Sequence, residues 1–146
     1  MSVRLIDENG KSLVGPGGGL KTEINPTELV LLPAAARTAT VVTPDQTNNN
    51  GRGCHLIVDV TAASGTSPTL TVSIEGKDPA SGKYYTILSS AAIAAIGTYV
   101  LRVYPGETVA ANAAASDVLP RTWRVNAVIG GTTPSFTFSV GAVIVS

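Results

Sequence analysis

The chain has few of the residues that most often carry chemistry or hold small secreted proteins together. Its 146 residues include one cysteine, Cys54, and one histidine, His55. A single cysteine cannot form an internal disulfide, which excludes a disulfide-stapled scaffold. Because neighbours in a strand point to opposite faces, this pair is not expected to bind one metal ion or to act as nucleophile and base. We expect a small buried thiol beside a half-exposed imidazole.

Charge is also scarce. Charged residues make up 14% of the chain, and its ten basic residues balance ten acidic ones. An average soluble domain has about 25% charged residues. A chain without net charge has no long-range field to attract nucleic acid or an acidic membrane surface, so neither is predicted as a partner. Low charge also weakens the repulsion between protein molecules, which favours a role inside an assembly.

Long apolar runs are missing as well. No run reaches the roughly 18 residues that are needed to span a bilayer. The N-terminal sequence MSVRLIDENGK is charged and lacks the apolar region of a signal peptide. We therefore expect a soluble protein that is made in a cytoplasm.

Residues 1–28 differ in composition from the rest of the chain. They hold much of the charge and a glycine-proline cluster at Gly15–Gly19. Three consecutive glycines cost too much entropy for the interior of a strand or helix. The sequence therefore predicts an extended N-terminal arm over residues 1–28 and one domain over residues 29–146. The apolar residues of the arm are candidates for anchoring it on a partner: Val3, Leu5, Ile6, Leu13 and Val14.

From Leu29 onward, apolar and polar residues alternate in short segments such as HLIVDV, TLTVSIEG, TWRVNAVI and SFTFSVGAVIVS. Strict period-two alternation is typical of an antiparallel sheet with one wet face. We expect an all-β fold, an antiparallel β-sandwich of jelly-roll-like type. The residues predicted to point inward are Leu56, Val58, Val60, Leu70, Val72, Ile74, Tyr99, Leu101, Val103, Trp123, Val125, Ala127, Ile129, Phe136, Phe138, Val140, Ala142 and Ile144.

The last strand is apolar on both faces. Val143 and Val145 lie opposite the predicted inward positions of the same strand. Such a strand is either central in its sheet or covered by another subunit.

The segment VSIEGKDPASGKYYTIL, residues 72–88, combines two carboxylates with adjacent tyrosines. Pro79 presets the φ angle of a turn and Gly82 supplies a positive φ near its end, while the Asp78 carboxylate can accept backbone hydrogen bonds. The residue pattern therefore predicts a tight turn between two strands. Glu75 and Asp78 are not expected to converge as an acid–base pair, because neither a cleft nor a perturbed environment is indicated.

The two tyrosines of this segment, Tyr84 and Tyr85, should point to opposite faces. We expect one to pack in the core and the other to face solvent or a partner. An exposed tyrosine leaves a sugar-binding platform as an alternative, although such platforms usually need two or three coplanar aromatic rings.

No catalytic, cofactor-binding or metal-ligating residues are predicted, so the chain is not expected to be an enzyme. The sole histidine has no acid at a recognisable spacing for a Ser-His-Asp triad. Arg121 and Arg124 flank Trp123 closely enough for a nucleic-acid stack, but the neutral charge of the chain argues against one. Ion pairs between subunits, or cover for apolar surface, are the preferred roles of these arginines.

Several segments taken together resemble small virion proteins of tailed bacteriophages. The segments are VDVTAASGTSPTLTVSIEGKDPASGKYYTILSSAAI, TYVLRVYPG, ASDVLPRTWRV and the SFTFSVGA ending, and they cover roughly residues 37–146. No single segment is specific, but the group is. Ser116 stands where this pattern more usually has asparagine. The arm lies outside the resemblance, and no catalytic residues come with it.

The resemblance implies a structural role in a virion. We expect a capsid decoration (cement) protein that binds the outside of the major capsid protein lattice and stabilises the head. It would act as a symmetric homo-oligomer, with a trimer favoured, and would lie on the capsid surface after synthesis in the host bacterial cytoplasm. A tail or fibre-associated structural module and a carbohydrate-binding surface module are the alternatives.

Overall fold

The computed structural model describes residues 27–146, and every regular element in that range is a β-strand. The strands are β1 (Thr27–Arg37), β2 (Val41–Val42), β3 (Gln46–Thr47), β4 (Gly53–Lys77), β5 (Tyr84–Ser89), β6 (Gly97–Val103), β7 (Ala114–Ala115) and β8 (Thr122–Val145).

Two long strands, β4 and β8, form the centre of the fold. They pair antiparallel from Gly53 opposite Val145 at one end to Gly76 opposite Trp123 at the other. Strands β1, β2, β3, β5 and β6 pair with the outer sides of this ladder, and β7 pairs with β6, so that all eight belong to one sheet. Every pairing is antiparallel except that of β6 with β7.

A bend in both long strands divides the sheet into two parts. In one part β1 pairs with the C-terminal portion of β8, and β6 pairs with the N-terminal portion of β4. In the other part β5 pairs with the C-terminal portion of β4, and β2 and β3 pair with the N-terminal portion of β8. We call these parts the β1 half and the β5 half.

The same short motif makes the bend in each strand. The segments GTSPTLTVS (residues 65–73) and GTTPSFTFS (residues 131–139) share Gly, Thr, Pro, Thr and Ser at equivalent positions. Gly65 and Gly131 have φ angles of 116° and 113°. A Cβ on Gly65 would lie 2.8 Å from the Thr133 carbonyl oxygen, and one on Gly131 would lie 2.7 Å from that of Ser67. The two bends therefore pack against each other, and only glycine fits at the first position of each.

The ladder folds back on itself at this bend, because its two far ends meet. The 25 residues of β4 would extend about 80 Å if the strand were straight. Yet the Asn48 N–H donates to the Arg121 carbonyl beside one end, and the Arg52 N–H donates to the Val145 carbonyl at the other, each at 2.7 Å. The chain between Asn48 and Arg52 can span at most roughly 14 Å. The inner faces of the two halves are therefore brought together.

One core lies between these inner faces. Buried side chains from both halves form a single cluster that includes Trp123, Phe136 and Phe138, each with no exposed surface. The inward positions predicted from alternation are buried, with two exceptions: Tyr99 and Ile129 are only partly buried and pack against the cluster. Ile129 lies directly before the bend, where the β4–β8 register shifts and the ladder loosens.

The prediction of an all-β, antiparallel fold is confirmed. The two facing layers are halves of one folded-over sheet, and the jelly-roll-like connection pattern stays a prediction. Strand β8 lies between β1 and β4, which confirms the central position, and cover of its outer face by another subunit stays a prediction. The predicted arm lies outside the described residues except for its last two, since β1 already begins at Thr27.

Candidate interaction surfaces

The lone thiol and the lone imidazole lie on opposite faces of β4. Cys54 has no exposed surface, whereas His55 is exposed on the outer face. Burial raises the pKa of Cys54 to about 12, so this thiol is protonated and a poor nucleophile at neutral pH. Within residues 27–146, no three of the side chains His, Cys, Asp and Glu come together as a metal site.

Asp78 organises the turn that connects β4 and β5. Its carboxylate accepts the backbone N–H of Ala80 at 3.0 Å and the Ser81 hydroxyl at 2.5 Å. The Gly82 N–H donates to the Asp78 carbonyl at 2.8 Å, and Gly82 adopts a φ of 72°. The hydrogen bond from Ser81 is the main cause that lowers the pKa of Asp78. The predicted turn is confirmed, and its aspartate is engaged in holding the turn.

The two tyrosines point to opposite faces, but neither packs in the core. The hydroxyl of Tyr84 donates to Asp45 at 2.6 Å, and the Arg124 guanidinium lies 3.3 Å from the centre of its ring. Tyr85 is 48% exposed. The expectation that one of them would be a core residue was wrong, because Tyr84 is held on the outer face by Asp45 and Arg124 and Tyr85 lies on β5, which pairs only with β4 among the described strands. There Gly76 leaves space for the Tyr85 ring against the strand.

A network of ion pairs covers the outer face of the β5 half. Glu75 and Arg124 are opposite each other on β4 and β8, and their Oε2 and Nε atoms are 2.6 Å apart. The Asn126 amide donates to the other Glu75 oxygen at 3.2 Å. Lys77 contacts Asp45 at 2.8 Å. The Glu75 and Arg124 side chains are 12% and 23% exposed, so their pair is better shielded from water than the second pair, at 34% and 35%.

The second pair shifts the titration of both its members. The hydrogen bond from Lys77 is the largest cause that lowers the pKa of Asp45, and the same bond raises the pKa of Lys77. Each charge is thus held in its ionised form by its neighbour. The network fixes the outer face of this half.

The stack that was considered for nucleic acid is not formed. Trp123 has no exposed surface, and Arg124 is held by Glu75 and the Tyr84 ring. A buried indole cannot stack on a base, so this candidate is wrong. The reason is that side chains alternate between the two faces of β8, which places the Trp123 indole inward and the neighbouring Arg124 outward.

The outer face of the β1 half carries an apolar row. Val30 on β1 pairs with Gly141 on β8, Gly141 pairs with Ile57 on β4, and Ile57 pairs with Val100 on β6. We call these residues the apolar row. Val30 is 78% exposed and Val100 is 44% exposed. Ile57 between them is half-buried. An exposed apolar patch is a feature of protein interaction sites.

Polar side chains flank the apolar row on both sides. On one side the next cross-strand row holds the polar residues Glu28, His55 and Arg102, with the apolar Val143 among them. On the other side Asp59 accepts a hydrogen bond from the Thr98 hydroxyl at 3.1 Å. An apolar centre with a polar rim is the usual anatomy of a protein interface.

The row contains a depression where Gly141 has no side chain. The space there has a volume of about 370 Å³ and is bordered by Leu29, Val30, Ile57 and Val143. A Cβ added at Gly141 would have the Leu29 carbonyl oxygen as its nearest neighbour, at 3.7 Å. The surface thus offers ridges at either side of a recess, into which a partner side chain could fit.

The predicted anchors Val3, Leu5, Ile6, Leu13 and Val14 lie outside the described residues. The structure does locate the strand that follows them: β1, an edge strand that carries Val30. Sequence reasoning missed the apolar row, because its members come from four separate segments. The apolar outer positions Val143 and Val145 of the last strand were the signals that pointed to this face.

Comparison of the chain with known protein families, with curated proteins and with solved structures finds no match. In the part of the chain that the structure describes, no helix is long and apolar enough to cross a membrane.

Proposed function

We propose that this protein is a bacteriophage capsid decoration protein that attaches to the outside of the major capsid protein lattice. The observation that carries the proposal is the apolar row on the outer face of the β1 half. The resemblance of residues 37–146 to small virion proteins of tailed phages gives the partner its identity. The balanced charge of the chain fits a protein that packs closely among many copies.

The apolar row suits attachment to a repeating surface. Burial of one aliphatic side chain contributes about 1.5–3 kcal/mol, so Val30, Ile57 and Val100 can support a contact of modest strength. On a lattice, protein molecules that bridge neighbouring capsomers gain avidity, so a modest contact suffices. The single sheet with its shared core presents the row on a rigid frame.

The arm remains part of the proposal as a second contact. It leads into edge strand β1, which lies beside the row. Its apolar residues Val3, Leu5, Ile6, Leu13 and Val14 would add anchors on the capsid or on a sister subunit. Because β1 begins at Thr27, a truncation that tests the arm should remove residues 1–26 and keep the strand intact.

The test is reconstitution on heads that lack the protein, assembled from the major capsid protein of the phage that encodes this chain. Val100→Asp places a charge at the β6 end of the apolar row and should abolish attachment. Val128→Asp is the matched control, because Val128 is also 44% exposed on a strand but belongs to the β5 half. Bound protein per head is measured by sedimentation with the heads and by quantitative mass spectrometry.

Wild-type protein and the Val128→Asp variant should bind in hundreds of copies per head, and Val100→Asp should not. Equal binding of both variants would show that the row is not the docking surface. A few to a few dozen copies per particle, located at the neck or tail, would replace head decoration by a tail role.

A further inference from the structure

A second concave surface lies at the corner of the β5 half, away from the apolar row. It is a cavity of about 560 Å³ between the Asp78 turn and the segment that leads into β8. Such a volume is within the range of small-ligand sites, roughly 300–1,000 Å³. Its lining includes Asp45, Asp78, Tyr85, Pro120, Arg121 and Thr122.

Tyr85 forms a fixed aromatic wall of this cavity. A Cβ on Gly76 would lie 2.5 Å from its Cζ atom, 2.6 Å from its hydroxyl oxygen and 2.9 Å from Cγ of Pro120. The ring and the proline thus both rest on the backbone of β4, on the side-chain position that glycine leaves free. The ring remains 48% exposed. A flat apolar surface of this kind is available for stacking without rearrangement.

The polar groups around the ring balance in charge. Two carboxylates, Asp45 and Asp78, face two cations, Lys77 and Arg121, in the lining. An anionic ligand would meet the carboxylates, and a cationic ligand would meet the lysine and the arginine. The lining therefore favours a ligand without net charge that can both donate and accept hydrogen bonds.

Both carboxylates can accept further hydrogen bonds, Asp78 at the oxygen that accepts only from Ala80. Asp45 accepts from Lys77 and Tyr84, one at each oxygen. A carboxylate offers about four lone-pair sites, so each oxygen keeps capacity for a ligand hydroxyl. Arg121 has no ion pair with another described residue and is exposed, so its guanidinium can donate to a ligand.

We propose that this cavity binds a neutral saccharide, whose C–H face stacks on Tyr85 and whose hydroxyls bond to Asp45, Asp78 and Arg121. A hexose has an apolar ring face and a rim of groups that donate and accept, which matches the lining in shape and chemistry. The proposal does not depend on capsid attachment, because the cavity and the apolar row lie in different halves of the sheet.

The test is an NMR titration of the full-length chain, labelled with ¹⁵N, with glucose, galactose, mannose and N-acetylglucosamine. At least one sugar should shift the amide resonances of the residues that line the cavity, with a dissociation constant near the millimolar range. Tyr85→Ala should weaken that binding about tenfold, which corresponds to roughly 1.4 kcal/mol. Tyr85→Phe keeps the ring and should bind like the wild type.

Arg121→Ala is a second variant that leaves the aromatic wall and the sheet untouched. It should also weaken sugar binding, because it removes a hydrogen-bond donor from the edge of the cavity. This variant keeps the test decisive if Tyr85→Ala does not fold. The proposal is overturned if none of the four sugars shifts these resonances at high millimolar concentration, or if both variants bind like the wild type. Shifts caused by a proline-rich peptide and not by the sugars would assign the cavity to peptide binding and overturn it too.

Discussion

The β1 half and the β5 half start from the same bend motif and bury the same kind of residue, but their outer faces differ. Inside, Phe138 in one half and Val72 in the other occupy equivalent positions of the repeated motif, and both have no exposed surface. Outside, the β5 half carries the Glu75–Arg124 network, whereas the β1 half presents exposed Val30 and Val100.

The difference shows that the fold constrains the inward residue positions and leaves the outward positions free to vary. Inward positions must fill one shared core at close packing, so both halves are constrained alike. Outward positions are not needed for packing, so they can diverge. In the β5 half the charged outward side chains pair with one another, and Val42 and Val128 are exposed. In the β1 half the apolar groups form one cross-strand row around a recess, which is why we place the docking surface there.

The largest expected effect comes from breaking the bend that joins the halves. Gly131→Ala would force a side chain at a φ of 113° and within 2.7 Å of the Ser67 carbonyl oxygen. Backbone strain and overlap together should lower the free energy of unfolding by about 2–5 kcal/mol. Because the halves share one core, thermal unfolding should shift as a single transition in calorimetry and in circular dichroism.

Gly82→Ala is the control for this substitution. Gly82 also has a positive φ, 72°, but a Cβ there would have no neighbour within 4 Å. Only the conformational cost remains, about 1 kcal/mol. Equal losses of stability in Gly131→Ala and Gly82→Ala would show that the two bends do not pack against each other. Two separate unfolding transitions in Gly131→Ala would show that the halves do not share one core.

A smaller effect should distinguish the two outer faces. Glu75→Gln removes the charge that pairs with Arg124 in a site that is only 12% exposed. We expect a loss of about 1–2 kcal/mol, because hydrogen bonds to a shielded charge are among the stronger ones. Ile57→Thr, at the centre of the apolar row, should cost less, about 0.5 kcal/mol, since threonine suits a strand surface.

Urea denaturation measures both variants, with the midpoint compared at an unchanged m value. If Ile57→Thr destabilised the protein more than Glu75→Gln, the row would have a packing role within the chain, and its availability to a partner would be in doubt.

The smallest effect concerns the exposed Asp45–Lys77 pair. The folded-state pKa of Asp45 lies below its ordinary value of 3.8, so the pair contributes fully above that pH, and the contribution is lost as the pH falls through the folded-state value. The Lys77 pKa is raised above 10.5, so the contribution is also lost at high pH, as the pH rises through that raised value. Between these limits it should be constant and small.

Asp45→Asn should therefore be slightly less stable than the wild type at pH 7 and equally stable in strong acid. Thermal unfolding across the acid range measures the difference. Lys77→Met serves as the control, since it removes the largest cause that lowers the Asp45 pKa and should reduce the acid dependence in part, while the hydrogen bond from Tyr84 preserves the rest. A difference between wild type and Asp45→Asn that stayed constant into strong acid would contradict the assigned pair.

Local patterns in the sequence were good guides wherever the physics is local. The Asp78 turn followed from Pro79 and Gly82, because turn residues act on their own backbone. The exposure of Tyr84 and Tyr85 could not be predicted in the same way. Alternation shows that they point to opposite faces, but it does not show whether either position is covered by other residues. The repeated bend motif was visible in the sequence, but its consequence depends on two distant segments that pack against each other.

The sequence by itself determined that this chain is a β protein, which side chains of its strands turn inward, and where β4 turns into β5. These properties follow from period-two alternation and turn chemistry, both of which act over a few residues. Only the tertiary structure decided that Val30, Gly141, Ile57 and Val100 stand in one row, and that Tyr85 and Arg121 border one cavity. Strand register and the fold-over of the sheet bring together residues up to more than a hundred positions apart, and no short stretch of sequence encodes that juxtaposition.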